Sequence, residues 1–153
     1  MTLPERPQIP TIDVREAAVA AGAAGAVGAE GAFVASPGAS SPGDASPGGA
    51  SAGGAGAPLL VDVRERNEFI EVRAPGAVLY PTSSFLLRFE ELPRDRPLHV
   101  ICNSGSRSAA VTAWLLRNGW TDVLNVAGGM SAWVRAGLET RRGPLAPGEG
   151  DLT

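Results

Sequence analysis

The chain has 153 residues, which is the length of one domain that can bury a single apolar core. Its net charge is −3 and all 13 of its basic residues are arginine, so the composition offers no support for nucleic-acid binding. A single cysteine, Cys102, excludes an internal disulfide and a cysteine cluster for a metal. The apolar stretch Ala17 to Ala29 is too short for a bilayer, and the start of the chain is unlike a secretory signal. We therefore expect a cytoplasmic protein that contacts neither membranes nor nucleic acids.

The first predicted element is a short helix, and a low-complexity segment follows it. Asp13 stands three residues before Glu16, the spacing of a capping box, which predicts a helix that continues to about Ala21. Residues 22–57 consist mostly of Gly, Ala, Ser and Pro, which cannot build a core. We interpret this segment as a disordered insertion within a folded domain. Lengthening a surface connection to this extent costs only about 1.6 kcal/mol of closure entropy, so folding tolerates it.

From Pro58 onward, short apolar runs alternate with helical patterns. The patterns predict strands at 58–63, 77–80, 97–102 and 122–126, and helices at 65–72, 84–92, 106–118 and 130–136. The clearest helix is the one at 106–118, where Trp114 belongs to an apolar stripe and Gly119 supplies a stop signal. Strands that alternate with helices predict an α/β fold whose parallel sheet has helices on both faces. A polar, Gly-rich tail at 139–153 follows the last helix.

Cys102 follows an apolar strand and begins the loop that enters the clearest helix. The loop consists of Asn103, Ser104, Gly105, Ser106 and Arg107. Ligands of parallel sheets bind beyond the carboxyl ends of the strands, and small loop residues let successive backbone amides turn toward the sulfur. Such a cradle would hold a thiolate and, more importantly for catalysis, a substrate anion and a charged covalent intermediate. The alternative is that Cys102 simply packs as a small apolar residue.

Several other side chains are candidates for supporting or structural roles. Asp62 and Arg64 end a strand near the same sheet edge, and we expect them to orient Arg107 and the loop; an ordinary surface ion pair or cap is the alternative. His99 lies three residues before Cys102 on one strand, so side-chain alternation places it on the opposite face and argues against a Cys-His dyad. Trp114 and Trp133 lie on apolar faces and are expected in the core.

Short motifs between residues 59 and 138 together point to a known family. They are Leu60-Val61-Asp62-Val63-Arg64-Glu65, Glu68-Phe69, Pro75-Gly76-Ala77, the Cys102-x-x-Gly105-x-Arg107 loop with Ser108, and Gly128-Gly129-Met130 with Trp133. With these motifs the chain resembles the rhodanese homology domain of the single-domain sulfurtransferase type. The resemblance implies one rhodanese-like domain over 1–153, with a doubly wound five-stranded parallel sheet, its best-matching core at 58–138 and the insertion at 22–57. The segment from Ile12 to Ala21 would then be the opening strand and helix of the domain.

The resemblance also implies a reaction and its participants. Cys102 would attack the outer sulfur of a small anionic donor such as thiosulfate or a persulfide and become a persulfide itself, with residues 103–107 as its cradle. An acceptor such as cyanide, a small thiol or a protein thiol would then take the sulfur. No cofactor or metal is expected.

The sequence departs from the family at three places and leaves other functions open. One is Leu79, which stands where the family commonly has Asn. Val72-Arg73-Ala74 stands where the family commonly has Gly-His-Ile, which affects the pocket wall, and Asn103 and Ser104 stand where many relatives have a basic residue. We therefore expect weak capture of thiosulfate. One alternative function is that of a cysteine phosphatase or arsenate reductase, although the loop to Arg107 is one residue shorter than in those enzymes. The other is a non-catalytic module that binds anions or senses redox state through Cys102.

Overall fold

The fold is seen in a computed structural model that describes residues 8–22 and 57–152. Its strands are β1 (Thr11–Ile12), β2 (Leu59–Asp62), β3 (Val78–Leu79), β4 (Leu98–Ile101) and β5 (Val123–Val126). Its helices are α1 (Val14–Ala20), α2 (Arg66–Glu71), α3 (Phe85–Arg88), α4 (Ser106–Arg117) and α5 (Gly129–Arg135). The predicted insertion lies almost wholly outside the described residues. Within the described ranges, no helix has the length and apolar character needed to cross a membrane.

The five strands form one parallel sheet in the order β1-β5-β4-β2-β3. The opening element occupies the edge position, where Thr11 pairs with Asn125 in β5. Asp13 caps α1, because its carboxylate accepts a hydrogen bond from the Arg15 amide at 2.7 Å. The predicted five-stranded α/β fold is therefore confirmed, including the strand and helix that precede the insertion.

Side chains alternate between the two faces of the sheet, and each face has its own apolar core. Val61, Val100 and Cys102 belong to the core that includes α4, whereas Leu60 and Ile101 belong to the core that includes α1 and α5. His99 shares the face of Ile101, as alternation predicts. Burial lowers the pKa of His99, while the nearby Asp122 carboxylate acts in the opposite direction. Cys102 and His99 therefore lie on opposite faces of β4.

The segment at 84–92 differs from its prediction as one helix. The structure instead places the short helix α3 between the 3-10 turns Thr82–Ser84 and Phe89–Glu91. The rings of Phe89 and Trp114 lie with centroids 4.6 Å apart, and Phe89 also meets Trp120 at 5.9 Å. The bends in this segment bring its aromatic rings onto those of α4 and the following loop, so tertiary packing overrides local helix propensity.

Residues of the C-terminal segment pack against the domain around one buried arginine. Arg73 is 3% exposed and forms a bidentate pair with Glu149, with N–O distances of 2.6 and 3.0 Å. Its backbone pairs with Arg141, and the amide of Leu79 donates to the carbonyl of Gly150 at 2.8 Å, which covers the edge strand β3. The family position that commonly holds a histidine thus holds the residue that anchors the C-terminal segment.

Replacing Arg73 by methionine should lower the free energy of unfolding by about 3 kcal/mol, measured by urea denaturation. The reason is that the substitution removes the arginine donors of the Glu149 carboxylate, which keeps only the Ala146 amide, and of the Gly143 carbonyl, which accepts from Arg73 at 2.9 Å. Arg141→Met is the control, because this exposed arginine pairs through its backbone, and should change stability by less than about 0.5 kcal/mol. Equal effects of the two substitutions would show that the buried pair does not anchor the segment.

Candidate active site at the Cys102 loop

The sulfur of Cys102 is buried, and hydrogen-bond donors of the loop and of α4 point toward it. β4 ends at Ile101, so Cys102 is the first residue beyond the strand. Its Sγ accepts a hydrogen bond from the Gly105 amide at 3.0 Å, and the Ser108 hydroxyl lies 3.3 Å away. Gly105 has a φ of +102°, which favours glycine, and this conformation brings its amide back toward the sulfur. The loop therefore wraps one sulfur atom with hydrogen-bond donors.

The loop is held from behind by the first turn of α5. The amides of Met130 and Ser131 donate to the carbonyls of Cys102 and Asn103 at 2.7 and 3.0 Å. In a trans peptide the carbonyl and the following N–H point in opposite directions, so the amides of Asn103 and Ser104 point away from α5. The start of α5 thus determines which way the loop amides face.

Two opposing effects set the pKa of Cys102. Burial is the larger single effect and raises the pKa of the thiol. The hydroxyl of Ser108 and the backbone amides of Ser108, Gly105 and Ser104 act in the other direction, and together they lower the pKa of Cys102 below its ordinary value. The geometry therefore favours a thiolate without a histidine partner.

Arg107 is engaged by a carboxylate from another helix. Its guanidinium donates to both oxygens of Glu68 in α2, at 2.9 and 3.0 Å, in the bidentate geometry typical of strong pairs. Glu68 also accepts from the Glu65 amide at 3.1 Å and so completes the cap of α2. Glu68 was noted in the sequence as a motif residue, but no local pattern identified Arg107 as its partner. The pair connects the loop to α2.

Asp62 and Arg64 form a buried ion pair, so the surface-pair alternative is wrong. Their side chains are 0% and 2% exposed and the shortest N–O distance is 2.8 Å. Arg64 also donates to the carbonyls of Glu68 and Val72 at 3.2 and 2.6 Å, which satisfies acceptors at the end of α2. Burial raises the pKa of Asp62, and the hydrogen bond from Arg64 opposes it. Arg64 thus contacts the helix that carries Glu68, the partner of Arg107.

An apolar cavity opens beside the loop. Its volume is about 280 Å³, and it is lined by Thr82, Phe85, Leu86, Arg107, Ala110, Val111 and Trp114. Trp114, expected in the core, is half-buried and forms part of this wall, whereas Trp133 is fully buried as predicted. Leu86 is 67% exposed at the rim. An organic group could therefore be accommodated next to Arg107.

Comparison with known proteins identifies the family. A sequence model of the rhodanese-like domain matches residues 50–136, which is more than half of the chain. The chain belongs to the rhodanese-like family. It is 40% identical over 80 residues to a sulfurtransferase of Allochromatium vinosum, an alignment that covers 52% of this chain and 75% of that relative.

Solved structures show the same rhodanese-like fold. A rhodanese-related protein of Thermoplasma volcanium matches with a TM-score of 0.59 and 21% identity, covering 86% of this chain and 97% of that one. A thiosulfate sulfurtransferase of Pseudomonas aeruginosa matches with a TM-score of 0.52 and 28% identity, covering 57% of this chain and 17% of that one.

The rhodanese-like site contains residues that the sequence singled out and others that it did not. From the predicted loop 102–107, the Gly105 amide contacts the sulfur, while Arg64, which is paired with Asp62, contacts the carbonyls of α2 and its C-cap. Four further contacts were not anticipated as parts of the site. They come from Glu68, Ser108, Asn125 and Gly129. Ser108 had been noted as a motif residue, but its contact with the sulfur required the orientation of α4.

Replacing Glu68 by glutamine should lower the free energy of unfolding by about 1 kcal/mol at pH 7, after allowance for the partial exposure of the pair. The hydrogen bond from Arg107 lowers the pKa of Glu68 from 4.5 to about 2, so its stabilisation is present above pH 4.5 and is lost as the pH falls toward 2. Urea denaturation at pH 7, 4 and 2.5 should show the difference between parent and variant shrinking across this range. A difference that stays constant with pH would contradict the assignment.

Proposed function

We propose that this rhodanese-like protein is a sulfurtransferase that carries a sulfane sulfur on Cys102. The Cys102 thiolate attacks the outer sulfur of thiosulfate, the sulfur–sulfur bond of the donor breaks, and sulfite leaves with the bonding electron pair. With an organic persulfide as donor, the corresponding thiolate leaves. A thiolate or cyanide acceptor then attacks the outer sulfur of the persulfide and regenerates the Cys102 thiolate. Neither step requires a general base when the thiolate is already formed.

The hydrogen bond from the Gly105 amide to the sulfur is the observation that carries the proposal. A donor aimed at the sulfur stabilises negative charge before the reaction begins, at no cost of reorganisation. A cysteine that merely packed in the core would have no reason to be wrapped by a loop with a left-handed glycine.

The pairing of Arg107 with Glu68 favours sulfur transfer over phosphate-ester hydrolysis. A phosphatase loop needs its arginine to clamp a tetrahedral oxyanion, but here both oxygens of Glu68 occupy the guanidinium. The loop also has one residue fewer than the phosphatase loop, which leaves room for a sulfur atom rather than a phosphate.

The surroundings of the loop favour an organic persulfide as donor over thiosulfate. Asn103 and Ser104 bring no positive charge, and Glu68 neutralises much of the charge of Arg107. The neighbouring cavity has largely apolar walls. A dianion is therefore poorly matched to the site, whereas a small-thiol persulfide has an organic part that the cavity accommodates.

Intact mass measurement tests the proposed function directly. The protein is incubated with thiosulfate or with a small-thiol persulfide and weighed before and after a reductant. We expect a gain of one sulfur atom that the reductant reverses, and faster loading from the persulfide. Hydrolysis of an aryl phosphate without such a gain would instead support the phosphatase, and absence of both signals would support an anion-binding or redox-sensing module.

A further inference from the structure

The buried polar side chains of Ser108 and Asn125 lie next to Cys102, and neither takes part in the sulfur-transfer steps proposed above. The Ser108 hydroxyl in α4 is 3.3 Å from the sulfur and 2.6 Å from Oδ1 of Asn125 in β5. Ser108 is 0% exposed and Asn125 is 7% exposed. β5 is the neighbour of β4, and Asn125 pairs in register with Val100. The three side chains therefore form one continuous polar contact inside the α4 side of the core.

The number of protons in this contact depends on the state of the sulfur. A serine hydroxyl has one proton, and here two acceptors lie within reach of it. When Cys102 is a thiol, its S–H can donate to Ser108 Oγ while the hydroxyl donates to Oδ1 of Asn125. When Cys102 is a thiolate, the sulfur accepts only, so the hydroxyl proton must turn toward it.

When Cys102 is a thiolate, Asn125 has to offer Ser108 a hydrogen-bond donor instead of an acceptor. Once the Ser108 proton faces the sulfur, Oδ1 of Asn125 would meet only oxygen lone pairs. A half-turn of the amide about its last torsion, which has two nearly equivalent orientations, presents Nδ2–H to Ser108 Oγ instead. Both states of Cys102 then have a satisfied network, and an asparagine suits this position because its amide carries both a donor and an acceptor.

We propose that Asn125 is a positioning residue that directs the Ser108 hydroxyl proton toward or away from the Cys102 sulfur, and so favours the anionic states of that sulfur when its amide turns. The inference shares with the proposed function only the assignment of Cys102 as the nucleophile. It concerns a buried side chain that contacts the sulfur through the Ser108 hydroxyl.

The charged groups around this network can be held constant in a test. Arg107 on α4 pairs with Glu68 on α2 beside the loop, and Asp62 pairs with Arg64. His99 lies on the other face of β4. None of these residues is altered in the variants described next, so changes in the titration of Cys102 report on the network itself.

The test is a thermodynamic cycle on the titration of the cysteine. Asn125→Asp and Asn125→Leu are each made in the parent and in Ser108→Ala, and the thiolate is followed by ultraviolet absorbance against pH. Because Cys102 is the single cysteine of the chain, the signal has one source. No sulfur donor is used, so the result is independent of whether the protein proves to be a sulfurtransferase.

With Ser108 present, we expect Asn125→Asp to reduce the thiolate fraction at pH 7 about tenfold, because the carboxylate only accepts and draws the hydroxyl proton away from the sulfur. Without the hydroxyl, the new carboxylate still opposes the thiolate through space, so the same substitution should reduce the fraction by a factor at least about threefold smaller than in the parent. Asn125→Leu removes the acceptor that competes with the sulfur for the hydroxyl proton, so it should instead raise the thiolate fraction about threefold with Ser108 and leave it unchanged without it, and it serves if the aspartate variant does not fold. Equal shifts in the two backgrounds would mean that the charge acts through space, and no shift in either would mean that Asn125 is structural; both outcomes overturn the proposal.

Discussion

Replacing Cys102 by serine is expected to abolish sulfur loading. A serine hydroxyl is not ionised near neutral pH and is a weak nucleophile without a general base, and His99, the nearest imidazole in sequence, lies on the opposite sheet face. Loading should fall by at least about a thousandfold, measured as the intact-mass gain after incubation with thiosulfate or a small-thiol persulfide. The free energy of unfolding should change by less than about 2 kcal/mol, because the hydroxyl can still accept from the Gly105 amide.

Ser104→Ala is the matched control for the cysteine variant. Ser104 is an exposed loop residue whose contribution to the site comes from its backbone amide, which alanine retains. Loading in this variant should stay within about twofold of the parent. A serine variant at 102 that still gains one reducible sulfur atom would place the chemistry on a different group and remove the basis of the proposed function.

Replacing Gly129 by alanine is expected to disrupt the loop and destabilise the protein. A Cβ at this position would overlap the carbonyl oxygen of Cys102 and lie 2.7 Å from the carbonyl carbon and oxygen of Asn103, and backbone atoms have no alternative rotamer. The φ of +56° adds the left-handed cost. Together these should lower the free energy of unfolding by about 2 to 5 kcal/mol. Loading should fall about a hundredfold in the molecules that remain folded, because the displaced loop no longer aims its amides at the sulfur.

Gly137→Ala separates the cost of the left-handed backbone conformation from the cost of the close contact. Gly137 also has a positive φ, +76°, but a Cβ there would meet nothing within 4 Å. This variant should therefore show only the left-handed cost of about 1 to 2 kcal/mol and unchanged loading. If Gly129→Ala matched it in both stability by urea denaturation and loading by intact mass, close contact between α5 and the Cys102 loop would not be needed.

Features that depend on local spacing were predictable from the amino-acid sequence. The apolar run before Cys102 and the clear helical pattern after it correctly placed this residue at the junction between β4 and the loop that leads into α4. The opening helix capped by Asp13 was also predicted and observed, even though a long low-complexity segment separates it from β2. The helix expected at 84–92 was only partly right: the structure has a short α-helix at Phe85–Arg88 followed by a 3-10 turn, and Phe89 in that turn packs against Trp114, a contact that is not local.

The roles of several polar residues could not be read from the sequence because their partners are far away along the chain. Arg107 and Glu68 are 39 residues apart, and Ser108 and Asn125 are 17 apart. Arg73 reaches Glu149 across 76 residues, which turned an apparent tail into part of the packed domain. In each case the residue type indicated that the side chain could form an ion pair or a hydrogen bond, but the sequence offered many residues that could be its partner.

By itself the sequence determined the α/β class, the position of the cysteine at a strand end and the small-residue loop that encloses it, since helix and strand periodicity and loop composition act over a few neighbouring residues. The tertiary structure decided which groups face the sulfur, which carboxylate engages Arg107 and how α5 orients the loop carbonyls. Those arrangements arise when β4, β5, α2, α4 and α5 pack together, because hydrogen bonds and close backbone contacts depend on distances of a few ångströms between segments that no local pattern relates.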